Sequence, residues 1–157
     1  MVELTERGLS ALEFAKSLIA RREHSVFELR RKLLRKGLAG EADAVIASLS
    51  RSGLLDDQRF AHAWVSARIS RKGEGRRRLV AELIKRGVSR SIAEIVVSDQ
   101  LTQEQEHALL EERAAALIAC GCKPATIRRR LLTQGFSPSE VNRFGRSIEN
   151  IERALVE

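Results

Sequence analysis

Apolar residues recur along the chain with helical spacing, and they do so three times over. Leu29-Arg-Arg-Lys-Leu-Leu-Arg-Lys-Gly37-Leu38, Leu79-Val-Ala-Glu-Leu-Ile-Lys-Arg-Gly87-Val88 and Ile127-Arg-Arg-Arg-Leu-Leu-Thr-Gln-Gly135-Phe136 line up at offsets of 50 and 48 residues. In each, the first, fifth, sixth and tenth positions are apolar, which is one stripe of a helix. The ninth is glycine, free to take the left-handed conformation that ends a helix, while the apolar residue after it folds back as a cap.

The likeness extends to both sides. Ahead of the central helices, the pattern predicts helices over 11–21, 60–70 and 109–120, the first with Ala11, Phe14, Ala15, Leu18 and Ile19 on one stripe. After them it predicts 41–49, 91–98 and 139–148. Each unit is therefore helix, helix, helix, a repeat of about 50 residues with little interior of its own.

Start signals agree with this division. Ser25-Val26-Phe27-Glu28 and Ser137-Pro138-Ser139-Glu140 read as capping boxes, in which serine accepts an amide and glutamate reaches back to the backbone. Pro124 and Pro138 suit a first helical turn, where the missing amide hydrogen costs nothing. Asp56 and Asp57 read as caps for the helix bearing Phe60 and Trp64. The expectation is an all-α, elongated array of three tandem three-helix repeats, about nine helices and no sheet. The repeats span 7–55, 56–105 and 106–157 behind a flexible 1–6.

Composition supports helix over strand. The chain has five Phe, one Trp, no Tyr and only two prolines, and unbranched residues dominate. No stretch of 18 apolar residues occurs, and the N-terminus lacks the basic-then-apolar order of a signal peptide, so a cytoplasmic protein without a membrane segment is expected. Cys120 and Cys122 would close almost no loop as a disulfide, and they are read as reduced thiols.

Charge adds the functional lead. Twenty-eight Lys and Arg against 21 Asp and Glu give +7, which favours an anionic partner. Half of the basic residues fall on or beside the central helices: Arg30, Arg31, Lys32, Arg35 and Lys36; Arg76, Arg77, Arg78, Lys85 and Arg86; Lys123, Arg128, Arg129 and Arg130. The alternative is an ordinary solvated face paired i,i+4 with acids. Only Glu28 and Glu82 stand on those helices, so such pairing is poor, and repetition favours a binding surface. Phe14, Phe27, Phe60, Trp64, Phe136 and Phe144 mostly fall on apolar faces and read as core rather than as base-stacking platforms. No helix singles itself out for reading DNA sequence, so any nucleic-acid contact should be nonspecific.

Enzymatic chemistry finds no footing. Asp56 and Asp57 are adjacent and point apart, Gly73-Glu74-Gly75 lacks the strand and the Lys-Ser/Thr of a phosphate loop, and no nucleophile has a base near it in sequence. The two cysteines with His24, His62 and His107 do not make metal-ligand spacing. No catalysis, cofactor or metal is expected.

These residues resemble the RecX family of regulators of bacterial recombination. Arg22-Glu23-His24-Ser25 with Glu28-Leu29-Arg30 and Lys32-Leu33 is similar to its first signature. Gly53-Leu54-Leu55-Asp56-Asp57 with Arg59-Phe60-Ala61 is similar to its second and more specific one. Lys72-Gly73-Glu74-Gly75 with Arg77, Leu79, Glu82 and Leu83 is similar to the third, which usually has an aromatic in place of Glu74 and proline in place of Arg76. The resemblance covers nearly the whole chain. It implies a nine-helix, three-repeat protein that inserts into the helical groove of the RecA filament on single-stranded DNA; a monomer is expected. There it usually lowers strand exchange, ATPase and co-protease activity. The competing readings are a nonspecific DNA-binding helical repeat and an adaptor of the armadillo or HEAT kind, whose period is shorter.

Overall fold

The computed structural model describes residues 6–154. They form nine helices and no strand: α1 (Glu6–Ile19), α2 (Val26–Arg35), α3 (Ala42–Arg51), α4 (Asp57–Lys72), α5 (Arg76–Lys85), α6 (Arg90–Gln100), α7 (Gln103–Ala119), α8 (Pro124–Thr133) and α9 (Pro138–Ala154). This is the all-α succession of three-helix repeats that the sequence predicts. The expected loose stretch 1–6 lies outside the described residues but for Glu6, which opens α1.

Each central helix closes as its glycine requires. Gly37, Gly87 and Gly135 have φ of 80°, 82° and 94°. The residue after each donates back to the helix, Leu38 to the Leu33 carbonyl at 3.0 Å, Val88 to Leu83 at 3.2 Å and Phe136 to Leu131 at 3.3 Å. Val88 and Phe136 are fully covered, the apolar half of this closing motif.

The predicted start signals are formed in part. Ser25 Oγ accepts the Glu28 amide at 3.1 Å, and Ser137 Oγ accepts that of Glu140 at 3.2 Å. The glutamates do not return to the backbone. Glu28 pairs with Arg22 at 2.9 Å, and Glu140 accepts the hydroxyl of Ser137 at 3.1 Å. A complete capping box stands instead at Thr102 and Gln105, which exchange bonds of 3.2 and 2.9 Å at the start of α7. Helices α1, α4 and α7 begin three to six residues before the apolar pattern does, because their first turns are polar and carry no stripe.

The backbone divides into two compact units, Met1–Trp64 with Leu83–Val96, and Val65–Glu82 with Val97–Glu157; the division passes through α4, α5 and α6. In the first, α1, α2 and α3 enclose Ala11, Ala15, Leu29, Leu33, Val45 and Leu49, with Phe14 and Leu18 packed at the edge. In the second, α7, α8 and α9 enclose Leu110, Ala114, Ile127, Leu131, Phe136 and Val141. The middle repeat contributes its own buried stripe, including Phe60, Leu79, Leu83 and Val96. Each large apolar side chain so covered stabilises the fold by about 1.5–3 kcal/mol relative to exposure.

Candidate functional site

Two joints of the same design organise the polar residues. In the first unit, the start of α2 meets the end of α5. Ser25 Oγ donates to the Arg86 carbonyl at 2.6 Å, and a Cβ at residue 87 would overlap Phe27. In the second unit, the start of α5 meets the end of α8. The Gly75 amide donates to the Gln134 carbonyl at 2.9 Å, Arg77 N to Gly135 at 3.2 Å and Arg78 Nη1 to Thr133 at 3.0 Å. A Cβ at Gly135 would overlap Arg78. Donors at one helix start thus meet orphan carbonyls at another helix end, and the two dipoles run head to tail.

An acid from the following repeat completes each joint. Asp57 Oδ1 accepts the Val26 amide at 2.8 Å, the first of α2. Glu106 Oε1 accepts the Arg76 amide at 2.8 Å, the first of α5. Asp56 alone caps α4, accepting Gln58 N at 2.7 Å and Arg59 N at 3.1 Å. Asp57 therefore serves α2 and not, as the sequence predicts, its own helix. Burial pushes the Asp57 carboxyl above its ordinary value, and the Val26 amide pulls in the other direction. At α8 the first residue is Pro124, which has no amide to satisfy.

The motif residues prove to be the parts of these joints. Arg59 donates to Glu23 at 2.7 Å and to the Gly53 and Leu54 carbonyls at 2.8 and 2.9 Å, which ties the second motif to the first. His24 is 2% exposed and receives Lys32 Nζ at its Nε2, 2.8 Å away. Its proton therefore sits on Nδ1 and is donated to the Arg22 carbonyl at 2.9 Å. Burial first, then the charges of Arg22 and Lys32, hold the imidazole below its usual value.

The fourteen basic residues singled out from sequence divide into two kinds. Arg30 pairs with Asp43 of α3, and Arg86 faces Glu28 at 4.0 Å and stacks over Trp64 at 5.0 Å. Arg76 is held by Glu106 at 3.2 Å, by Ser98 Oγ at 2.7 Å and by the Leu101 carbonyl. Arg78 lies 3.2 Å from Glu74. With Lys32, these side chains are structural ties. The acids that hold Arg30 and Arg76 lie 13 and 30 residues away, where i,i+4 counting does not look, while Glu74 is an i,i+4 partner of Arg78 that stands just before α5.

The remainder face solvent. Arg35, Arg77, Lys123 and Arg129 are exposed and hold no ion pair among the described residues. Arg31 lies over the Phe27 ring at 5.6 Å and Lys36 over Phe14 at 5.8 Å. Arg128 donates to Asn142 at 3.2 Å, and Arg130 reaches Cys122 Sγ at 3.6 Å. Lys85 is exposed as well. Phe27 departs from the expectation of core: it is 41% exposed, while Phe60 and Phe136 are buried. It stands two residues before Leu29, on the far side of α2 from the buried stripe. No group of three metal-binding side chains occurs among the described residues, and none of their helices is long and apolar enough to cross a membrane.

A family model described as the first three-helix domain of RecX matches residues 11–49, and one described as its second three-helix domain matches 56–97. The regulatory protein RecX of Pelodictyon phaeoclathratiforme is 42% identical over 110 residues, 69% of this chain and 66% of that protein. That of Treponema pallidum is 40% identical over 128 residues, 80% of this chain and 77% of its own length. A crystal structure of RecX from Lactobacillus salivarius has the same fold, with a TM-score of 0.79 over 92% of this chain and 97% of that one at 18% identity. The chain belongs to the RecX family of regulatory proteins.

Proposed function

We propose that this protein binds the RecA filament on single-stranded DNA and lowers its recombinase, ATPase and co-protease activities without catalysing a reaction itself. Family membership across the first two repeats is the observation that supports the reading most. The exposed arginines and lysines give it a physical route. Arg35, Arg77, Lys123 and Arg129 hold no ion pair among the described residues, so an anionic partner gains their charge without breaking one of those seen there.

In this proposal the repeats, bounded near 55 and 105, each supply one weak basic contact. Several such contacts on one chain add, because after the first the rest are intramolecular. Bridging adjacent filament subunits would favour one filament state over the states through which it grows or turns over. The protein acts as a cytoplasmic monomer in this scheme, in the filament's helical groove. The test is RecA ATPase on single-stranded DNA with this protein titrated in. A fall in rate at or below equimolar protein is expected, and a flat response contradicts it.

Direct nonspecific binding to DNA is the second reading, favoured by the charge of +7. It predicts stronger retardation of bare DNA than of RecA-coated DNA in gel shifts. Affinity would also fall steeply with salt as phosphate contacts release counterions.

A further inference from the structure

The third repeat departs from the other two at one core position. In their pattern of burial, Ala42, Val45 and Ile46 of α3 correspond to Ala93, Val96 and Val97 of α6 and to Val141, Phe144 and Gly145 of α9, at offsets of 51 and 48 residues. Ile46 is 7% exposed and Val97 is fully buried, so each fills the interior of its own repeat. The third repeat has glycine there, and a Cβ at Gly145 would meet no atom of the described residues within 4 Å. Glycine inside a helix costs stability relative to alanine, and no tight packing among those residues demands it.

A cleft of about 750 Å³ opens at this point between α7, α8 and α9, and Gly145 lines it. Ile118, Leu131, Val141 and Phe144 give it apolar walls, and Ile118 is left 47% exposed. Arg128 and Arg146 line it as well, while no acid does among the described residues. Neither arginine holds an ion pair among those residues, and Arg128 is steadied by the Asn142 side-chain oxygen at 3.2 Å. We propose that this cleft is a binding site for a small anionic amphiphile, an apolar chain ending in a carboxylate.

Size and charge both favour that ligand. Small-molecule sites hold about 300–1,000 Å³, with apolar walls and a few polar groups that fix orientation. An apolar chain takes the volume that Ile46 and Val97 fill in their repeats, and each methylene fully buried there tightens binding about fourfold. The head group is selected by the arginines. A guanidinium holds a carboxylate through two parallel hydrogen bonds, and two guanidiniums without an acid disfavour a cationic head. The cleft lies wholly on α7, α8, α9 and the turn between the first two, so binding there needs no filament.

Isothermal titration of decanoate into the full chain, with decyltrimethylammonium as the matched cation, tests the proposal. One site is expected for decanoate, at least tenfold tighter than for the cation. Gly145→Val, which restores the kind of side chain the other repeats carry, should weaken it tenfold or more and leave the melting temperature unchanged or higher. Arg128→Gln and Arg146→Gln should each weaken it severalfold, with helicity unchanged by circular dichroism. Cys122, which lines the cleft, gives a readout independent of variants. Saturating decanoate should slow its alkylation by iodoacetamide at least fivefold and leave that of the exposed Cys120 unchanged. Absence of both heat and protection, equal binding of the two amphiphiles, or undiminished binding to Gly145→Val overturns it. So does protection of Cys122 by rising protein concentration alone, which assigns the cleft to a second copy, or by RecA-coated DNA and not by decanoate, which assigns it to the filament.

Discussion

Asp57 accepts the backbone amide of Val26 at 2.8 Å from 31 residues away, and Glu106 repeats the bond with Arg76 from 30 residues away. The second motif of the family is thereby a fastening between repeats. A carboxylate in the opening turn of one repeat closes the central helix of the repeat before it.

Removing that acceptor should therefore loosen the array at a defined place. Asp57→Ala is expected to cost about 1 kcal/mol, the usual loss for a helix cap. Glu106→Ala should cost about 2 kcal/mol or more, because it also takes from the Arg76 guanidinium its carboxylate and leaves it only neutral acceptors. Urea unfolding measures both, and equal losses would show that the guanidinium contributes nothing to the second joint.

Two glycines separate backbone strain from packing at the joint. Gly37 and Gly87 share a φ near 80°, yet a Cβ at 37 meets open space and one at 87 meets Phe27. Gly37→Ala should cost about 1–2 kcal/mol from the left-handed backbone alone. Gly87→Ala should cost clearly more in the same assay. Equal losses would mean that Phe27 moves aside freely.

Acid should weaken the first joint through His24. Burial and the neighbouring Arg22 and Lys32 lower its pKa below 6.5, so the fold holds the neutral form. With the folded value depressed, this stabilisation is complete above the unfolded value of 6.5 and is lost as pH falls below it toward the folded value. Protonation would also set a cation against Lys32 Nζ, which now donates to the ring. The urea midpoint should fall between pH 7.5 and 5.5 by more in the wild type than in His24→Gln. An unchanged difference would exclude the imidazole as its source.

Much of the fold is legible in the sequence, because a helical stripe, a closing glycine and a following apolar residue are local signals repeated three times. The first turns of α1, α4 and α7 are less so. They are polar, and only a cap such as Thr102 with Gln105 marks their start. The basic surface is the least legible. Arg76 and Arg77 are neighbours of the same type, yet one is bound to Glu106, Ser98 and Leu101 and the other is exposed. The acid that separates them lies 30 residues further on, so its effect exists only once the repeats have packed. Phe27 is similar: its exposure follows from its angle to Leu29 on α2, which a count of aromatics does not register.

That pair of arginines also offers the most direct test. Binding of fluorescent single-stranded DNA coated with RecA should weaken tenfold or more in Arg77→Glu, with the melting temperature within about 2 °C of wild type, a stability change below about 1 kcal/mol. Arg76→Glu should instead lower the melting temperature by about 5 °C or more, since it sets two carboxylates against each other at the second joint. Full filament affinity in a folded Arg77→Glu protein would contradict the assignment of the exposed arginines as the surface that meets the filament.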